Sequence, residues 1–198
     1  MFLCMTQEPI VVGPAEDHDA AHEYAVYMVE AKRKVYGHTY LGARWELALA
    51  RHLGSTVLER CREHLARVGA HHPEDFWLDF RAGGLAIDAK STFSRRRPHS
   101  RNNLLITPGH LRPHVAYVLG DVLGPTDGPW PIRGVRNYDL WFEAPGWTMG
   151  LPELFRPCEI PGIEGLLMME RRCLRPLSEL VELARETEGS LWTEPPGA

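Results

Sequence analysis

Two acids and a lysine stand close together in a stretch that is otherwise largely apolar: Asp79 within FWLDF (76–80), and Asp88 and Lys90 within LAIDAK (85–90). Side chains on a strand alternate between faces. Leu85, Ile87 and Ala89 therefore point one way, and Asp88 and Lys90 the other. In FWLDF, Phe76, Leu78 and Phe80 share one side, and Trp77 and Asp79 the opposite one. Arg81-Ala82-Gly83-Gly84 joins the two runs, and a glycine pair favours a two-residue hairpin turn. With Gly83-Gly84 as the turn, Phe80 pairs with Ile87 and Asp79 faces Asp88. A turn at Ala82-Gly83 shifts the pairing by two but keeps both acids on one face, whereas a three-residue loop separates them.

Directly opposed side chains are about 5 Å apart at Cβ, where like charges repel. Lys90 supplies one compensating charge on the same face, and a divalent cation would supply two more. Hard oxygen ligands with open positions suit Mg²⁺ or Mn²⁺. Phosphodiester hydrolysis needs an attacking water and a polarised phosphoryl group, both of which a carboxylate-held metal provides. A lysine beside it orients the water or neutralises charge developing in the transition state. The plainer alternative is a surface hairpin with a solvated acid and lysine, which leaves unexplained why two acids share a face.

The surrounding elements must hold that hairpin. Glu16 to Lys34 has helical spacing, with Ala21, Tyr24, Ala25, Met28 and Val29 on one stripe. Gly37 is expected to break it and Thr39 to cap a second helix, in which Leu41, Trp45, Ala48, Leu49 and Leu53 share a face up to Gly54. Residues 55–68 fit a helix or a strand, and 70–75 a turn. LLITPGHLRPH reads as a strand end followed by a helix with Thr107 as cap and Pro108 at its first position. VAYVLGDVL (115–123) reads as a buried strand and YDLWFEA (138–144) as another, ended by APGW. A short helix near Leu151–Phe155, a strand near Leu166–Glu170 and a closing amphipathic helix over Pro176–Glu186 follow. This order gives an α/β protein with a mixed sheet.

Asp79, eight intervening residues and then Asp88-Ala89-Lys90 resemble the PD-(D/E)xK, or restriction-endonuclease-like, nuclease superfamily. IDAKST is similar to the active strand of archaeal Holliday-junction resolvases, in which acid-x-Lys is followed by small hydroxyl residues. Leu78, not proline, precedes Asp79. The resemblance spans about residues 39–120. It implies an αβββαβ core whose mixed sheet is flanked by helices. It also implies a single nuclease domain over 1–198, with the core at about 39–145 and residues 16–36 and 149–190 as elaborations. By the same resemblance Asp79 and Asp88 are metal ligands and the Ala89 carbonyl a third. Glu46, on the upstream helix LGARWELALARHLG, contributes its carboxylate to the same metal site and assists catalysis, and Lys90 is catalytic.

Arg95, Arg96, Arg97 and Arg101 follow the active strand and suit contacts to a nucleic-acid backbone, which are electrostatic rather than sequence-reading. Ser91 and His110 are further candidates for phosphate contact. Net charge is −4 with pI near 6.2, so DNA affinity must come from a local basic patch or from a protein partner. The resemblance also implies a homodimer, since members of that fold often pair to cut two strands. Cys4, Cys61, Cys158 and Cys173 form no CxxC pair, MFLCM has no basic n-region, and no apolar run has transmembrane length. A soluble cytoplasmic protein is expected. EDHDAAHE (16–23) places His18 and His22 one helical turn apart without HExxH, and reads as a charged helix start. No GxGxxG, Walker A or GxSxG motif is present. The expected function is a Mg²⁺-dependent DNA endonuclease using metal-activated water. The alternatives are a non-catalytic nucleic-acid-binding or assembly module of the same fold, and a metal hydrolase centred on the two histidines.

Overall fold

The computed structural model describes residues 10–54, 80–92, 103–123, 139–160, 162 and 164–187. In chain order these form β1 (Ile10–Gly13), α1 (His18–Lys32), α2 (Tyr36–His52), β2 (Phe80–Ala82), β3 (Leu85–Thr92) and β4 (Leu104–Ile106). They continue as β5 (Val115–Val122), β6 (Leu140–Met149), β7 (Arg156–Pro157), β8 (Leu167–Met169) and α3 (Leu177–Glu186).

VAYVLGDV is a nearly unbroken apolar run, the pattern of a strand covered on both faces, and every residue of β5 is buried. It pairs in parallel with β3 and antiparallel with β6. With β1 against β6 and β2 against β3, the five-stranded mixed sheet has the order β1-β6-β5-β3-β2. The apolar stripe of α2 covers one face: Leu41, Trp45, Ala48 and Leu49 share a core with Ile87, Ala116, Val118 and Phe142. The Trp45 and Phe142 rings are 5.2 Å apart. Gly120 makes room for the indole, since a Cβ there would strike it. Ala21 and Ala25 of α1 and Leu177, Leu180 and Ala184 of α3 join the same core. On the other face, Val115, Tyr117 and Leu119 pack with Leu104, Ile106, Phe155 and Met169. These last residues come from or adjoin a small sheet of order β4-β8-β7.

The mixed α/β class is therefore as expected, but several elements differ. Among the described residues the helices line one face of the large sheet, and the small sheet, not a helix, covers the other. The helix expected after Thr107-Pro108 is a single 3-10 turn, Pro108–His110. Pro113 disfavours helical geometry at Arg112, and the chain must enter β5 at Val115. The Tyr117 hydroxyl holds this turn, donating to the His110 carbonyl (2.5 Å) and accepting from the Arg112 amide (3.0 Å). Among the described residues between β3 and β5, 103–114, there is thus no second helix of the αβββαβ pattern. Helix α2 starts at Tyr36, ahead of Thr39. The break falls at Arg33, which takes left-handed geometry (φ 53°) and caps α1. Gly37 lies within α2, and the Thr39 hydroxyl donates to the Val35 carbonyl at 3.0 Å instead of capping. Strand β6 runs through Pro145-Gly146 to Met149, with an irregular register opposite Leu119 and Asp121. A register irregularity of this kind accommodates the proline. Strand β1, IVVG, alternates exposed and buried residues along the edge of the large sheet.

Candidate functional site

The hairpin has the register that a Gly83-Gly84 turn demands: Phe80 opposite Ile87, Arg81 opposite Ala86 and Ala82 opposite Leu85. Gly83 takes φ 58° and Gly84 is not among the positive-φ glycines, the pattern of a II′ turn. The end of α3 grips this turn. The Gly84 amide donates to Thr187 Oγ1 at 3.1 Å, and a Cβ on Gly83 would collide with the Ala184 carbonyl. Register here is set by glycine chemistry and by tertiary contact together.

Strand alternation then sorts the candidates. Leu85, Ile87 and Ala89 pack into the core under α2, while Ala86 packs into the core under the small sheet. Asp88 and Lys90 leave β3 on the small-sheet side. Lys90 Nζ is 2.7 Å from Asp88 Oδ1, with 33% and 18% of the two side chains exposed. The ammonium also stands 6.0 Å from the Tyr117 ring centre, and Tyr117 is the register partner of Asp88. His110 is exposed, and its carbonyl holds the same tyrosine's hydroxyl. Ser91 leaves β3 on the helix side, 3.7 Å from where a Cβ on Gly42 would sit. Glu46, half-buried on α2, belongs to that side too. Burial and the Glu46 carboxylate together push the Tyr24 phenol well above its usual range. The structure thus unites Asp88 with Lys90 and sets Glu46 and Ser91 on the other face of the sheet. Asp79, Arg95, Arg96, Arg97 and Arg101 lie outside the described residues, as do the ambiguous stretch 55–68 and the turn expected at 70–75.

One cluster on the Lys90 face escaped the sequence reading. Thr92 and Asp121 are register partners, and the Thr92 hydroxyl donates to Asp121 Oδ1. Arg171 Nη1 pairs with Asp121 Oδ2, and its Nη2 reaches Glu143 Oε2 at 3.0 Å. The Arg171 amide is held by Asn103 Oδ1 at 3.1 Å. Asp121 is 2% exposed and Arg171 10%. The available signal was the lone acid inside VLGDVL, because a charge buried in an apolar run needs a partner.

Among the described residues no three His, Cys, Asp or Glu side chains are gathered as a metal site, and no helix is long and apolar enough to cross a membrane. The Asp88 carboxylate is itself a hard oxygen donor with one oxygen committed to Lys90. A carboxylate oxygen is a donor of the type that Mg²⁺ and Mn²⁺ take, and it contributes one ligand. Comparison with family models, with curated proteins and with solved structures finds no match to this chain.

Proposed function

We propose that the protein is a metal-dependent DNA endonuclease of the PD-(D/E)xK type, acting from the small-sheet face of β3. The observation that carries this reading is the Phe80–Ile87 register. Alternation along β3 puts Asp88 and Lys90 on one face, and one further step of the Phe80–Ile87 pairing would set Asp79 opposite Asp88. Asp79, Asp88 and the Ala89 carbonyl would hold the cation. The chemistry it supplies when bound is ionised water and positive charge at the phosphoryl oxygens.

The chain's own residues supply the rest. Asp88 is half-buried, so its charge is less screened than that of a surface acid. Lys90 keeps the site close to neutral while no cation is present. With Asp88 holding a cation, the Lys90 ammonium would be available to the scissile phosphate or the attacking water. The arginines of 95–101 would hold the DNA backbone. Glu46, on the opposite face, is assigned a supporting role through the α2–β3 contact and not direct ligation.

A second reading is favoured by the same ion pair. Lys90 bonded directly to Asp88, with Glu46 across the sheet, also describes a nucleic-acid-binding module that does no chemistry. One assay separates the two. Plasmid, single-stranded and four-way-junction DNA are incubated with protein and Mg²⁺, Mn²⁺ or EDTA, beside Asp79→Ala and Asp88→Ala. The endonuclease reading predicts metal-dependent cleavage that both variants lose. Cleavage that survives both substitutions refutes it, and tight binding without cleavage of any substrate establishes the module.

A further inference from the structure

Tyr117 is the one hydroxyl-bearing residue of VAYVLGDV, and it is fully buried in the core under the small sheet. A buried tyrosine needs partners for its hydroxyl. It finds two on the turn before β5, the His110 carbonyl at 2.5 Å and the Arg112 amide at 3.0 Å. Gly150, just after β6, leaves room for the ring edge, since a Cβ there would stand 2.7 Å from Cε2. Two hydrogen bonds and close packing thus fix the ring. Parallel pairing sets it beside Asp88. Lys90 Nζ stands over the ring, 6.0 Å from its centre, and 2.7 Å from Asp88 Oδ1.

The face of an aromatic ring carries negative charge density that attracts an ammonium. The attraction is spread over the ring, so it does not use up the lysine's three N–H donors as carboxylate oxygens do. Asp88 attracts the ammonium only while its own charge is not answered by a cation, and a cation there would repel Lys90. The Tyr117 face keeps its attraction in both states. Without it, a flexible stem that is 33% exposed is free to swing into solvent. We propose that Tyr117 is a positioning residue, whose ring face holds the Lys90 ammonium beside Asp88 when that carboxylate takes a cation. This role rests on the endonuclease reading, and within it Tyr117 touches neither DNA nor metal. At 6.0 Å the attraction is modest, so its loss costs far less rate than loss of Lys90 itself.

The lysines of this chain are Lys32, Lys34 and Lys90, so a lysine-selective ¹³C label gives few signals and Lys90→Arg identifies the one in question. Nuclear magnetic resonance of the full chain, without DNA or metal, is expected to show the Lys90 Hε protons moved upfield by the Tyr117 ring current. Tyr117→Phe, which keeps the ring, should retain that shift, and Tyr117→Leu should return the signal to that of a solvated lysine. In single-turnover cleavage of plasmid DNA with Mg²⁺, at matched folded concentration, Tyr117→Leu should lower the saturating rate about two- to fivefold with half-saturation unchanged. Tyr117→Phe should recover most of that rate. Should Tyr117→Leu fail to fold, replacing Tyr117 with a trifluorinated phenylalanine keeps the shape, withdraws charge from the ring face and should slow cleavage relative to Tyr117→Phe. A Lys90 signal at the solvated position in wild type overturns the role, as does a full cleavage rate in the variants that lose or weaken the ring face. A displaced signal in a chain that cuts no DNA overturns the endonuclease reading, and with it the catalytic use of the contact.

Discussion

The small-sheet face of the large sheet holds two charge clusters of similar composition and different surroundings. In one, Lys90 pairs with Asp88 and both stay partly exposed. In the other, Arg171 bridges Asp121 and Glu143, with Asp121 sealed from solvent and further held by Thr92. A lysine is a compact charge on a flexible stem, and an arginine is a rigid fork that can satisfy two acceptors. The arginine stands where two acids must be neutralised permanently, at the junction of β5, β6 and the segment after β8. The lysine stands where both partners of the pair keep contact with solvent. Burial, more than residue type, separates a structural ion pair from a candidate for chemistry.

That contrast is easiest to break at its buried end. Arg171→Ala leaves Asp121 charged and enclosed, so unfolding in urea should show a loss of about 3–5 kcal/mol. Arg171→Met combined with Asp121→Leu removes both charges and should recover most of that loss. If Arg171→Ala is instead nearly neutral, Asp121 is not sealed as described. Gly83→Val probes the join between the two halves of the hairpin. It forces a β-branched residue into left-handed geometry and against the Ala184 carbonyl. A loss of about 1–3 kcal/mol is expected, with faster proteolysis near α3 as its sign. Lys90→Ala should change stability least, by about 1 kcal/mol or less, because a partly exposed pair gains little over solvated charges. A large destabilisation there would make Lys90 a second structural clamp and erase the distinction.

The parts legible in the sequence were those governed by local chemistry. Alternation placed Asp88 and Lys90 together, and Gly83-Gly84 named its own turn, which the structure has. The apolar stripes of α2 and α3 and the buried run of β5 were equally plain. Features set by distant contacts were not legible. Thr39 resembles a helix cap, but the chain turns earlier because Arg33 accepts left-handed geometry. Pro108 resembles a helix start, yet one turn suffices because Tyr117, from the following strand, ties the turn down. Pro145-Gly146 resembles a strand end, but β5 and the bridge from Trp147 to Arg175 carry β6 past it. For the site, spacing alone could not reveal that α2 and the Asp88–Lys90 pair lie on opposite faces, nor that Asp121 would meet an arginine fifty positions away.

The central claim is that the Lys90–Asp88 pair serves phosphodiester hydrolysis while its buried counterpart serves the fold. Single-turnover cleavage of plasmid DNA with Mg²⁺, comparing wild type with Lys90→Ala at matched folded concentration, tests it most directly. The account predicts a rate lower by about 10²–10³ in the variant, the size of losing one transition-state charge contact, with the unfolding midpoint nearly unchanged. Cleavage by Lys90→Ala at the wild-type rate would contradict it.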